Sequence, residues 1–552
     1  MTRAPAFGHP PPERSAAPDS SRRRVGVAFL LVLGLELLLY VGFASRLIQA
    51  RIGYQYDEAL FVDSAVFMLH GVGVPPTRDY DRWVAAHGRR WPLMVLPYAG
   101  TAKAVVALPV FALFGIGTET ARYPGVVLGC AGIAGLVTLI GLHVSPVAGL
   151  LVGALLAIHP SYLDLTVFDN SGVSVWMAVM GLGALALSKH LHRPSRISAF
   201  LLGAVAGLGA WARLNVLWLV ASALVAALLV FGRRAVPPWD QIAAAAIGSC
   251  VGALPLILYE AGSGIATLRF IAETRQPLSL GRLGLRLRET AELMISDDEQ
   301  RRIWAGPLLS AWQAALGAVL LAALPACLAV RLWSEDPWLS RWRRAFAWSA
   351  IVLSGIMLTS GLQVAPHHLV AVLPLTLAAL AILLVELGFR ARPAIPWIAA
   401  GATALAVVLI SWDVRIDRGL RRSGGVGIWS TAVEDVGRYL KSHPVPLDRL
   451  KILNWGFLNN LYVASGGSVY GTELFWGATR THSSRGLGWE SEIRDGGAFL
   501  LYLFPTGSPS IDAAAEGFSK ALEDYRGPYR ERRFFDRSGS PVARLVEIPA
   551  AR

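Results

Sequence analysis

The chain has 552 residues, of which 54% are hydrophobic and only 16% charged, and its mean hydropathy is +0.48. A soluble chain carries about 25% charged residues, so composition excludes a string of soluble domains, and also disorder, collagen and coiled coil. The net charge of +13, from 51 Lys and Arg against 38 Asp and Glu, points in a membrane protein to cytoplasmic arginines beside anionic lipid, not to nucleic acid.

Residues 1–24 are rich in Pro, Ser and Arg and end in Arg22-Arg23-Arg24. They predict a disordered cytoplasmic tail. The apolar run 25–44 has spanning length, about 20 residues, and reads as an uncleaved first span. Further apolar runs lie near 121–143, 146–163, 172–188, 197–211, 214–231, 240–259, 308–330, 346–362, 368–388 and 395–412. Together they predict about eleven spans. The three cysteines, Cys130, Cys250 and Cys327, lie in such apolar runs, which argues against a disulfide framework or a cysteine zinc site.

With the tail inside, the short inner loops hold Lys189, Arg193 and Arg196, then Arg233 and Arg234, then Arg331, Arg341, Arg343 and Arg344, then Arg390 and Arg392. The short outer loops 164–171 and 363–367 hold no Lys or Arg, and 211–215 holds only Arg213. That asymmetry satisfies the positive-inside rule. Residues 95–115 are also apolar enough to span, but a span there would turn every later arginine outward. They are therefore read as an interfacial or re-entrant helix, broken by Pro97 and Pro109.

The expected fold class is an α-helical polytopic membrane protein with a C-terminal extracytoplasmic α/β domain. The membrane domain is 25–412, with large external segments at 46–120 and 260–307, and the soluble domain is 413–552. In that domain Thr431 and Glu434 suggest a capping box opening a helix to about Ser442. Strands are expected at 450–455, 498–504 and 543–548, and a second helix at 511–525.

The first external segment carries the sharpest chemical feature, the adjacent carboxylates Asp57 and Glu58. They open a stretch whose Leu60, Phe61, Ala65, Phe67 and Met68 recur at helical spacing. An amphipathic helix on the membrane surface is expected, with its acidic end at headgroup level. Such a carboxylate can deprotonate an acceptor hydroxyl or hold a divalent metal (Mg or Mn) beside a lipid phosphate. The bland alternative is an acidic first turn complementing a helix dipole.

Asp169 falls in an outer turn, where it can approach that pair or simply make the turn. Arg213 breaks the charge rule and needs an anionic partner, for which a lipid phosphate serves, unless it snorkels. His367 and His368 sit at the outer mouth between two spans and suit phosphate or metal, or a plain interfacial role. Lys103 is in position to reach a headgroup or a donor phosphate, with snorkelling as its alternative. Arg282, Arg286 and Arg288 alternate with leucine on a membrane-surface face. Trp455, Tyr462, Tyr470, Trp476 and Trp489 offer faces for sugar stacking, or core. No Walker loop, Rossmann fingerprint or HExxH motif is present.

The ordered motifs resemble those of the GT-C superfamily, the integral-membrane glycosyltransferases that use polyprenyl-phosphate sugars. The pattern is similar to the bacterial branch related to protein mannosyltransferases and the lipid A aminoarabinose transferase. Asp57-Glu58 matches the Asp-Glu motif of the first external loop. Residues 92–115 (PLMVLPYAGTAKAVVALPVFALFG) resemble the loop helix ending in Leu-Phe-Gly. Ala121-Arg122-Tyr123-Pro124, Phe168-Asp169-Asn170, residues 203–215 (GAVAGLGAWARLN) and the stretch from His368 to Pro374 follow in order. Departures are Arg213, often Lys in the family, and His367-His368, often Arg or Lys-Tyr. The resemblance implies sugar transfer, with inversion, from a polyprenyl phosphate to a glycan, glycolipid or protein acceptor at the outer face of the cytoplasmic membrane. It implies Asp57 as base, Glu58 orienting the acceptor or a metal, Asp169 beside them, and Arg213, His367, His368 and Lys103 on the donor phosphate. A flippase or a non-catalytic binder of lipid-linked sugars is the competing class.

Overall fold

The computed structural model describes residues 19–70, 83–86, 88–296, 303–307, 309–329, 337–362, 364–446, 448–475, 488–506 and 509–550. Residues 1–18 of the tail, Arg331 and Trp476 lie outside them. The first helix, Asp19–Ile48, starts ahead of the apolar run, so the arginine triplet at the end of the tail is helical.

Among the described residues each run read as a span is mainly helical. Among the described residues seven helices are long and apolar enough to cross a membrane, or nine if each bent pair is one span. The bent pairs are Pro146–Ala157 with Pro160–Val167, at 61°, and Trp239–Gly252 with Leu254–Ser263, at 63°. The first bend falls at extended His159, because Pro160 has no N–H to continue the preceding helix. The two further runs are Arg196–Ala212, which is short for a span, and Pro337–Thr359, whose opening turns carry Arg341, Arg343 and Arg344.

Residues 95–115 contain no span. Strands Met94–Leu96 and Ala99–Gly100 pair antiparallel around Pro97, and the 13-residue helix Ala102–Phe114 follows with Pro109 inside it. Thirteen residues cover roughly two thirds of a bilayer core.

Glycine sets the closest helix contact. A Cβ on Gly203, Gly207, Gly248 or Gly252 would lie 1.9–2.1 Å from a carbonyl oxygen of the facing helix. Only bare backbone lets Arg196–Ala212 and Trp239–Gly252 approach so closely, the small-residue packing typical of spans.

The C-terminal domain holds a five-stranded mixed sheet. Its order is Thr472–Glu473, Leu450–Ile452, Gly497–Tyr502, Pro541–Ile548, Arg530–Phe535. The first three strands are parallel and the last two pairings antiparallel. Helices Ala432–Ser442 and Pro509–Asp524 follow expectation closely. The capping box does not form: Thr431 is itself helical and makes no side-chain cap. Ser430 Oγ instead accepts from the Ala432 N–H at 3.1 Å.

This domain is seated on the membrane domain. Arg537 donates to the carbonyls of Ala50, at 3.2 Å, and Arg421, at 3.0 Å. The Gly53 N–H donates to the Gly424 carbonyl at 3.3 Å. Tyr56 belongs to the apolar core of the C-terminal domain, its ring 5.0 Å from that of Trp455.

Candidate active site

Asp57 and Glu58 open a short helix, Tyr56–Leu60, but it is not the surface helix expected. A second helix, Asp63–Leu69, follows after a break, and Leu60, Phe61, Ala65 and Phe67 are all buried. Ala65 and Phe67 are covered by helix Ala102–Phe114 and the C-terminal domain, and Leu60 and Phe61 pack with Val95 and Ala99. Gln55 caps the first turn: its Oε1 accepts from the Asp57 N–H at 2.6 Å and the Glu58 N–H at 3.1 Å. Glu58 returns the contact, Oε2 accepting from the Gln55 N–H at 3.1 Å.

Glu58 is also gripped by Arg122, whose Nε and Nη2 donate to Oε1 and Oε2, each at 3.0 Å. The guanidinium also donates to the carbonyls of Ile52, at 3.3 Å, and Gly53, at 2.8 Å. Both side chains are fully buried. The Glu58 carboxylate is thus committed to shaping the loop. Arg122, left without a role by the sequence motif around it, is the residue that holds the loop to the span starting at Tyr123.

Asp169 and Lys103 are likewise turned on each other. Lys103 Nζ lies 3.1 Å from Asp169 Oδ2, with side-chain exposures of 2% and 0%. Asp169 Oδ1 accepts from the Val173 N–H at 2.6 Å, and Oδ2 accepts from the Ser174 hydroxyl. The carboxylate therefore caps helix Val173–His192 at its positive end, and Lys103 balances its charge. Both residues singled out in sequence are at the site's edge, joined in one structural pair.

Arg213 and His368 come together from 155 positions apart, with Nη2 and Nε2 separated by 2.6 Å. His368 Nδ1 accepts from the Ala365 N–H at 2.9 Å. A neutral imidazole bonded that way carries its proton on Nε2, so two donors face each other. Arg213 is 2% exposed, and its Nε and Nη1 have no partner among the described residues. Unpaired buried donors on a cation are costly. An anionic oxygen placed among them would relieve both problems.

Local packing holds Arg213 in this position. On one side Trp211 Nε1 donates to the Leu93 carbonyl at 2.9 Å, and on the other the Leu214 N–H donates to the Tyr98 carbonyl at 3.0 Å. Gly172, at φ +71, leaves the space: a Cβ there would sit 3.3 Å from Arg213 Nη1 and 3.2 Å from the Phe61 ring.

Asp57 is half-buried and lies within electrostatic reach of both Arg213 and Tyr98. Burial lowers the Arg213 value, and nearby Tyr98, Asp169 and Asp57 oppose it. Burial raises the Tyr98 phenol, with Arg213 lowering it and Asp57 raising it further. Tyr98, not singled out in sequence, joins Asp57, Arg213 and His368 in one cluster. Arg286 stands behind His368. It donates to the carbonyls of Met357, Leu358, Ser360 and Leu362 at 2.7–3.1 Å and so ties down the approach to Pro366–Leu369.

Asp57 and Glu58 do not make a divalent-metal donor set, because both Glu58 oxygens are taken up. No group of three or more His, Cys, Asp or Glu side chains converges for a metal among the described residues. Of the aromatics proposed for stacking, Tyr462 and Trp489 are core. Trp455 and Tyr470 keep some exposure.

No family model matches the sequence, and no curated protein matches it. Solved structures do. ArnT from Cupriavidus metallidurans bound to undecaprenyl phosphate is similar over 95% of this chain and 99% of its own, with a TM-score of 0.57 at 15% identity. The same protein in the apo state gives 0.58 at 14% identity, over 95% and 98%. The Archaeoglobus fulgidus oligosaccharyltransferase in complex with Zn and sulfate gives 0.50 at 12% identity, over 92% of this chain and 72% of that one. The chain has the GT-C fold. With ArnT the GT-C match takes in nearly the whole of both chains, membrane bundle and C-terminal domain together.

Proposed function

We propose that this protein is an inverting glycosyltransferase that moves a sugar from a polyprenyl-phosphate donor to an acceptor at the outer face of the cytoplasmic membrane. The observation that carries this reading is the buried Arg213–His368 contact, in which unsatisfied donors converge beside Asp57. A lipid phosphate oxygen supplies what those donors lack. The likeness to a protein whose structure was solved with undecaprenyl phosphate bound supports it.

In this reading Arg213 and His368 bind the donor phosphate. The acceptor hydroxyl attacks the anomeric carbon from the face opposite the phosphate. The new carbon–oxygen bond forms as the bond to the phosphate oxygen breaks, and the phosphate leaves with the electron pair, held by Arg213. Asp57 takes the hydroxyl proton. Glu58, Arg122, Asp169 and Lys103 position the loop and the helix end that hold these groups.

The test is sugar transfer by purified protein in nanodiscs, with a panel of polyprenyl-phosphate sugars and a membrane extract as acceptor. Wild type is expected to release polyprenyl phosphate with one of the sugars. Asp57→Asn is expected to lose about 100-fold or more, the usual weight of a general base. Equal release by both would remove Asp57 as the base. Binding of the lipid-linked sugar without any transfer, across the whole panel, would favour the flippase or binder.

A further inference from the structure

Helix Ile395–Ser423 leaves the bilayer on the side of the C-terminal domain. Only 6% of its most apolar window is buried in the protein, so this helix faces lipid along most of its length. Where the apolar stretch ends, a cavity of about 380 Å³ opens between it and the segment carrying Trp304 and Pro307. From the helix, Ser411, Arg415, Arg418 and Arg422 line the cavity. Spacings of three and four residues put the three arginines on one helix face.

Among the described residues their charge is uncompensated. The neighbouring Arg421 is paired with Asp417, at 2.8 Å, and Asp417 also binds Arg46, at 2.8 Å. Arg415, Arg418 and Arg422 have no carboxylate partner among the described residues; Arg415 lies only over the Trp412 ring, at 5.3 Å. Trp304 closes the cavity on its other side. Its ring is wedged against the bare backbone of Gly419, where a Cβ would lie 1.8 Å from ring carbon Cε3. The ring is therefore held in place by packing.

We infer that this cavity binds the phosphate of an anionic phospholipid headgroup in the leaflet on the C-terminal domain's side. Three guanidinium groups, unpaired among the described residues, match the acceptor oxygens of a phosphate diester. The site sits at the depth where lipid headgroups lie and where Trp and Arg serve as interface anchors. The acyl chains continue along the lipid-facing helix below, past the exposed Ile410 and Val407. None of these residues belongs to the Asp57–Arg213–His368 cluster, so the inference stands apart from sugar transfer.

The probe is short-chain phosphatidylglycerol, titrated into the detergent-purified full chain and read by thermal shift and native mass spectrometry. Phosphatidylcholine and inorganic phosphate run as parallel arms. Phosphatidylglycerol is expected to bind and raise the Tm. The triple variant R415Q/R418Q/R422Q is expected to lose on the order of 100-fold in affinity, about fivefold per arginine. R193Q/R233Q/R234Q removes the same charge elsewhere and is expected to bind as wild type. Should the first triple variant not fold, Arg418→Gln decides the matter. Undiminished binding in the cavity variants overturns the inference. Equal loss in the control triple overturns it too, by showing bulk charge to be enough. An equal shift with inorganic phosphate at the same concentration assigns the cavity to a free anion and overturns the lipid.

Discussion

Arg122 holds Glu58 at both carboxylate oxygens, 3.0 Å each, across 64 residues of sequence. Removing one partner of a buried pair leaves an uncompensated charge and costs about 3–5 kcal/mol. Glu58→Gln and Arg122→Leu are therefore expected to lower the Tm of the purified protein sharply. Asp57→Asn, one residue away, is expected to leave the Tm near wild type while abolishing transfer. A melting curve for each variant beside its activity separates the two roles of the carboxylate pair.

Lys103 and Asp169 are expected to show strong coupling. Lys103→Met or Asp169→Asn alone should destabilise by about 3 kcal/mol or more, since each strands a buried group. The double variant should lose clearly less than the sum. A double-mutant cycle in thermal unfolding measures it. Additive losses would mean that the 3.1 Å contact contributes nothing.

Arg213 is expected to act on donor binding. Arg213→Gln removes charge-assisted hydrogen bonds, each worth about 1.5–3 kcal/mol, so the Kd for polyprenyl phosphate should rise at least tenfold. Arg213→Lys restores the charge without the planar fork and should recover only part of the affinity. Titration of each variant with polyprenyl phosphate tests this without any acceptor.

Asp63 gives a pH dependence. It is fully buried in the loop, its Oδ2 has no partner among the described residues, and Oδ1 accepts from Ser64 Oγ at 3.1 Å. Burial pushes the carboxyl well above its ordinary value of 3.8, with Ser64 pulling modestly the other way. Above that ordinary value the unfolded chain releases the proton while the folded chain keeps it. Stability therefore falls as pH rises from 3.8 toward the raised folded value. Asp63→Asn is expected to remove this slope: more stable than wild type at neutral pH, with the difference vanishing in acid. A parallel pH–Tm curve for the two proteins would exclude a buried protonated carboxyl.

The membrane bundle was legible in sequence because apolar length and arginine asymmetry are one-dimensional signals. So was Arg213, which stood out by breaking the asymmetry, and its burial beside His368 explains why it could. What stayed hidden was pairing over distance. Lys103, Asp169 and Glu58 are conspicuous residues, yet nothing local says that Lys103 meets Asp169 or that Arg122 takes Glu58. Local competition also misled. Ser430 rather than Thr431 bonds the first turn of its helix. The amphipathic spacing after Asp57 described a face on the bilayer, whereas those apolar residues are buried under protein. The two-residue strand Thr472–Glu473 is too short to leave a period.

Tyr56 sits in the core of the C-terminal domain, and Asp57 is the next residue along the chain. The boundary between the two halves of the molecule therefore does not run at the chain's exit from its last span. It runs through the loop that carries Asp57. A chimera joining this bundle to a relative's C-terminal domain at that exit would exchange Trp455, Arg537 and their neighbours but keep the old 50–56 segment, and so misplace Asp57. Recombination between such proteins can preserve activity only when that short segment travels with the distant domain, which makes the two stretches a single inherited unit.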